Sequence, residues 1–171
     1  LDNIYKEFES LLNASAEAKK LKELFKNAYL EHQNLADATR FLVNELFGEY
    51  GLVIIDANSK ELKAELIPAI KNDLFEKKAF EQVSKSKEFL EKNNYKIQVN
   101  PREINFFYQE KNLRERIIEK EGEFFINNTQ QSFSKEEMIT EIENNPQKFS
   151  PNVVVRPLYQ EMILPNLAYI G

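Results

Sequence analysis

Apolar residues recur at helical spacing along the first part of the chain. Ile4, Phe8, Leu11 and Leu12 fall on one face, and Leu21, Leu24, Phe25 and Ala28 on the next, with a break around Asn13 and Ser15. Asn34 is placed to cap a third helix with the stripe Leu35, Ala38, Leu42 and Leu46, which Gly48 and Gly51 end. Residues 1–48 therefore read as a helical lead-in. The period then changes. Leu52-Val53-Ile54-Ile55 is a short, continuous, β-branched run ending at Asp56, which predicts a strand buried on both faces, as in a parallel sheet. Asn58-Ser59 opens a helix with Leu62, Leu66, Ile67 and Ile70 inward, so strand, turn and helix read as the start of a βαβ unit. Pro68 should kink or restart that helix. Residues 74–92 continue as a Lys/Glu-rich amphipathic helix with the stripe Phe80, Val83, Lys87 and Leu90, ended by Asn93-Asn94.

Beyond residue 104 the pattern turns to β. Residues 104–108, 114–120 and 123–126 are candidate strands, with a loose turn at Lys111-Asn112 and a hairpin signal at Glu121-Gly122. Ser134-Lys135-Glu136-Glu137 is a capping box, stapled by Phe133 and Met138, and the helix it starts must stop by Pro146. Pro157 pushes Arg156 toward an extended conformation and suits the first position of a helix that Pro165 closes. Residues 167–170 read as a further buried strand. The expectation is an α/β fold with a small, mainly parallel sheet. Strand 52–55 is central, strand 167–170 lies in the same sheet, and an antiparallel hairpin insertion sits near 104–126. The division is a lead-in over 1–48 and a core segment over 49–171.

Composition removes more chemistry than it adds. The chain has 171 residues, a net charge of −5 and no cysteine, so thiolate chemistry and disulfides within it are excluded. Its one histidine, His32, rules out a multi-histidine metal site, and its four glycines make neither a Walker loop nor a dinucleotide fingerprint. No metal site and no cofactor are evident. The acidic balance argues against a nucleic-acid partner, and no apolar run approaches a membrane span. Segment 60–96 is slightly basic, with 9 Lys against 7 acids, which a solvated helix face explains. The start at Leu1 and the apolar end Leu167-Ala168-Tyr169-Ile170-Gly171 read as those of an interior piece of a larger protein.

Candidate chemistry gathers near the end of the chain. A short helix beginning beside Arg156 could present free N–H groups, partial positive charge and a guanidinium fork to a carboxylate or phosphate; the alternative is an arginine bracing the loop through a buried acid. Tyr159 and Gln160 lie one turn into the helix, with Tyr159 open to a core role instead. Asp56, at a strand end, fits a ligand contact or a turn cap. His32 could titrate near neutrality as an acid or base, or be structural. The four acids Glu136, Glu137, Glu141 and Glu143 fit a solvated face, and no paired-carboxylate mechanism is supported.

The runs FSPNVVVRPLYQEMILPNLAYIG and YLEHQNLADATRFLVNELFGEYGLVIIDAN closely resemble the bacillithiol-synthesis cysteine-adding enzymes, in order and approximate separation. The resemblance implies a Rossmann-like core related to nucleotidylyltransferases, in a protein roughly three times longer. Such a protein carries a C-terminal coiled-coil arm that dimerises it. It implies a cytoplasmic ligase that adds cysteine to glucosaminyl malate, with adenine nucleotide as a candidate cofactor of the full-length protein. Asn152, Arg156, Tyr159, Gln160, Asp56 and His32 are then the substrate-binding candidates. The competing expectation is a non-catalytic α/β scaffold or interaction domain derived from that fold. In either case the isolated chain is expected to form no amide bond.

Overall fold

In the computed structural model, which describes residues 2–168, helices begin where polar residues interrupt the apolar stripes. α1 (Asp2–Leu11) is followed by α2 (Ala16–Leu30), whose first turn is capped by Ser15, its hydroxyl accepting the Ala18 N–H at 3.1 Å. Asn34 starts α3 (Leu35–Phe47) in the same way, accepting the Asp37 N–H at 2.9 Å. The helical lead-in is therefore present. The chain divides into two compact units, Leu1–Ala57 and Asn58–Gly171, and these helices make up most of the first. An aromatic ladder joins α1 to α2, with the Phe8 and Phe25 rings 4.4 Å apart, yet among the described residues of this unit only Ala18, Ala28 and Ala38 are buried.

The expected strand at 52–55 is not formed. These residues have no regular structure and pair with nothing in the sheet, and Val53 is 67% exposed. A strand needs a neighbour to satisfy its backbone, and none of the described strands pairs with this run. The expected partner at 167–170 falls only in part within the described residues. Leu167 and Ala168 carry no strand, and Tyr169 and Ile170 lie outside the described residues.

The second unit is built as its pattern suggests up to residue 92, with one added break. α4 (Lys60–Glu65) is capped by Ser59, and α5 (Ile67–Glu76) restarts with Pro68 in its first turn, where a missing N–H costs nothing. The chain then turns through Lys77 at φ 53° before α6 (Lys78–Lys92), so 74–92 is not one continuous helix.

The sheet corrects the parallel expectation. Its strands are β1 (Phe106–Glu110), β2 (Leu113–Lys120), β3 (Glu123–Ile126), β4 (Ser132–Phe133) and β5 (Phe149–Pro151). They lie in the order β4-β3-β2-β1-β5, and every described pair is antiparallel. For β1–β2 and β2–β3 tight turns force this, because strands joined by a two-residue loop can only run in opposite directions. At the β2–β3 turn both Glu121 and Gly122 take positive φ, 54° and 86°, as the hairpin signal required. The register Phe107↔Arg116 and Ile118↔Phe125 sends Phe106, Tyr108, Ile117, Phe124 and Ile126 to the other face. There they pack with Ile70 and Leu74 of α5 and with Met138 and Ile142 of α7 (Lys135–Asn144) into one core. α7 carries the expected capping box between Ser134 and Glu137. α8 (Arg156–Ile163) closes the unit through Tyr159.

Candidate functional site

The entry to α8 is fixed by a buried polar relay. Asp73 on α5 projects from a stripe otherwise made of Ala69, Ile70 and Leu74, and its carboxylate accepts the Asn105 backbone N–H at 2.5 Å and the Asn105 side-chain N–H at 3.1 Å. Both residues are almost wholly buried. Burial pushes the Asp73 carboxyl above its ordinary value, outweighing the two hydrogen bonds from Asn105 and the nearby Lys77. Asn105 Oδ1 in turn accepts from Asn152 Nδ2 at 3.0 Å, and the Asn105 carbonyl accepts the Asn152 N–H at 2.9 Å.

Asn152 then winds the chain into the helix. Its side-chain oxygen accepts the N–H groups of Val154 at 2.8 Å and Val155 at 3.3 Å, and its carbonyl accepts the Arg156 N–H at 3.0 Å. Two expectations change as a result. Arg156 is the first helical residue rather than an extended one, because this local turn overrides the pre-proline preference. The free-donor cradle is also much reduced: Asn152 engages the N–H groups of 154, 155 and 156, and Pro157 has none. Asn152 therefore shapes the loop.

What remains for a ligand is the Arg156 side chain. It is exposed, and none of the ion pairs among the described residues includes it. The bracing role predicted a buried acid beside it, and no such ion pair is present among the described residues. Gln160 is exposed one turn on, whereas Tyr159 is buried in the core, its ring centre 5.7 Å from Lys63 Nζ. Lys63 is itself buried and donates to the Phe149 carbonyl at 2.6 Å. Beside the relay lies a cleft of about 410 Å³, floored by Ala69, Val83, Val155 and Leu158 and edged by Asp73 and Gln82. Arg156 does not line it.

His32 and Asp56 belong to the first unit. His32 Nδ1 lies 3.0 Å from the carbonyls of both Asn27 and Ala28, so that nitrogen carries the proton and closes the end of α2. Its ring packs 5.1 Å from Phe41 and edges a cleft of about 290 Å³ with Asp37, Arg40 and Asn44. Asp56 is exposed just before a turn at Ala57-Asn58 and has no strand before it, so the strand-end rationale for it falls.

Sequence reasoning missed Asp73, Asn105 and Lys63. The signal was available: Asp73 interrupts the stripe of α5 at a core position, and Lys63 does the same between Leu62 and Leu66 on α4. A second polar cluster also escaped notice. Tyr108 donates to Glu141 at 2.7 Å, and Lys148 Nζ reaches Glu141 at 2.9 Å, Glu110 at 3.0 Å and the Tyr108 hydroxyl at 3.1 Å. Burial and the Glu141 contact push the Tyr108 hydroxyl up to about 12. Burial opposes the Lys148 charge, but its hydrogen bonds to Glu141, Tyr108 and Glu110 win and raise it. Burial also pushes the Glu141 carboxyl up, but hydrogen bonds from Tyr108, Lys148 and Asn145 hold it below the usual carboxylate range. Every member is held by another, which makes this cluster a brace between β1 and α7. Among the described residues, no three His, Cys, Asp or Glu side chains are grouped to hold a metal ion. Nor is any helix there long and apolar enough to cross a membrane.

The whole chain, residues 1–171, matches the family described as Bacillithiol biosynthesis BshC, N-terminal Rossmann-like domain. The chain belongs to this family. Its α/β class and Rossmann-like membership thus stand, while the described sheet is an antiparallel element within it. Among similar proteins is one from Flavobacterium johnsoniae, 57% identical over 160 residues, covering 94% of this chain and 30% of that protein. Proteins from Flavobacterium psychrophilum (53% identical) and Christiangramia forsetii (47%) each cover 100% of this chain and 32% of their own length. All three carry the name "Putative cysteine ligase BshC". The chain therefore spans about a third of the length of these curated relatives.

Proposed function

We propose that the chain is part of a ligase that joins cysteine to glucosaminyl malate through an amide bond in bacillithiol biosynthesis, with Arg156 gripping a malate carboxylate. The observation that carries the reading is the match of 94–100% of the chain to relatives bearing the ligase name at 47–57% identity. Arg156 enters because its guanidinium is exposed and unpaired among the described residues, at the head of a helix anchored to the core through Asn152, Asn105 and Asp73. A planar fork fits a carboxylate bidentately, and malate supplies carboxylates. Gln160 is the neighbouring exposed hydrogen-bonding group. Amide formation from an amine and a carboxylate expels water and needs an activating co-reactant. Adenine nucleotide bound by the full-length protein, a homodimer in the cytoplasm, belongs to the same proposal.

The test is a binding titration of the full-length protein with glucosaminyl malate, repeated on Arg156→Lys. A lost charge-assisted contact of about 1.5–3 kcal/mol weakens binding by roughly 10- to 150-fold. The melting temperature should not move, because the side chain makes no ion pair in the fold. Unchanged affinity removes Arg156 from the site. No binding of glucosaminyl malate, cysteine or adenine nucleotide to the wild-type protein overturns the ligase reading and leaves the scaffold.

A further inference from the structure

The two faces of the sheet differ in charge. β2 turns Arg114 and Arg116 to the face opposite the core, and both are exposed. Successive outward positions on a strand lie about 7 Å apart, so the two side chains leave the sheet as neighbours. Neither enters any of the ion pairs among the described residues. Two acids of β2 alternate to the core side and are engaged there: Glu119 pairs with Lys77, and Glu115 accepts from Asn128 Nδ2 at 3.2 Å. Glu123 of β3 sits across from Lys120 at the far end of the hairpin. A cationic patch is thus kept clear on a chain whose net charge is −5.

Arg114 is also held in position. Its guanidinium carbon lies 3.8 Å from the centre of the Phe107 ring, and its Nε donates to Ser150 Oγ at 3.4 Å. Stacking on the ring fixes the plane of the group, and Ser150 occupies its inner edge, so the two terminal nitrogens are left as donors. Arg116 faces Phe107 across the β1–β2 pair. One positioned fork with a second beside it makes an oxyanion receptor. A single carboxylate has two oxygens and saturates one fork, whereas a phosphate or diphosphate has the oxygens and the charge for both. We propose that Arg114 and Arg116 bind a phosphate-bearing small molecule on the outer face of the sheet. The inference stands on these side chains and not on the ligase reading.

The experiment is calorimetric titration of the full-length protein with inorganic pyrophosphate, with ATP and malate as further arms. Pyrophosphate should bind with a dissociation constant of about 1 mM or tighter, and Arg116→Gln should weaken it roughly 10-fold or more. Arg114→Gln should do the same, and the double variant should leave no measurable binding. The Arg116 side chain makes no hydrogen bond or ion pair among the described residues, so Arg116→Gln should keep the wild-type melting temperature. ATP that binds more tightly than pyrophosphate, and is lost in the same variants, assigns the phosphate to a nucleotide; ATP that binds no more tightly assigns the site to the phosphate alone. No pyrophosphate binding to the wild-type protein overturns the proposal. So does binding that survives the double substitution, or malate binding that equals that of pyrophosphate and falls with it. The glucosaminyl malate titration on Arg156→Lys reads separately, so either reading can fail alone.

Discussion

The two units of this chain are folded by different means. The second has a true core: Leu66, Ile70, Phe106, Phe124, Met138, Ile142 and Phe149 are almost wholly inaccessible and touch one another across helix and sheet. The first has capped, amphipathic helices of good quality, but its buried residues are three alanines, while Ile4, Leu11, Leu35 and Tyr50 face outward. Helices of this length draw most of their stability from packing of the apolar face rather than from propensity. Secondary structure in the first unit is therefore written locally, whereas in the second it is locked by burial worth about 1.5–3 kcal/mol for each large side chain.

The contrast can be broken by truncation. Phe106→Ala should cost about 3–5 kcal/mol in urea unfolding of the chain, and Leu11→Ala should stay within about 0.5 kcal/mol. Equal losses would mean that the first unit has a core after all. Next in size is the brace at Glu141. Its carboxyl is held below its ordinary value, so its contribution is present above the unfolded-state value and is lost as pH falls through the folded one. Glu141→Gln should cost about 2 kcal/mol near neutrality, a gap that closes in acid; a gap independent of pH would refute the charge assignment. Asp73 has the opposite sign. Burial raises it, so its contribution is present below the unfolded-state value and is lost as pH rises through the folded one. Carbon-detected NMR titration should place its midpoint above that of an exposed aspartate. The smallest effect compares two caps. Ser134→Ala should lower the main transition by about 1 kcal/mol, while Ser15→Ala should speed amide exchange in α2 and leave that transition in place.

Much of this architecture could be read from residue order. Ser15, Asn34, Ser59 and Ser134 mark helix starts because a side-chain oxygen facing a free N–H is a local event, and Glu121-Gly122 marks a hairpin for the same reason. The direction of the sheet was misread because 52–55 was given a parallel neighbour that the described residues do not supply. β4 and β5 escaped notice because two- and three-residue strands are too short to show alternation. At the candidate site, the helix start beside Arg156 was legible from Pro157, and the core role of Tyr159 was among the readings. The engagement of Asn152 was not, because it depends on Asn105 lying 47 positions away.

The two borders of the sheet have a practical consequence for handling the protein. β4 is two residues long and β5 three, and the latter ends at Pro151, which has no N–H to offer. A border this short and blunted gives an incoming chain almost nothing to copy, so the hairpin region should not seed fibrils. The Leu52-Val53-Ile54-Ile55 run has no such guard: it is apolar, β-prone and free of proline. Precipitation of concentrated samples of the isolated chain should begin there rather than on the sheet.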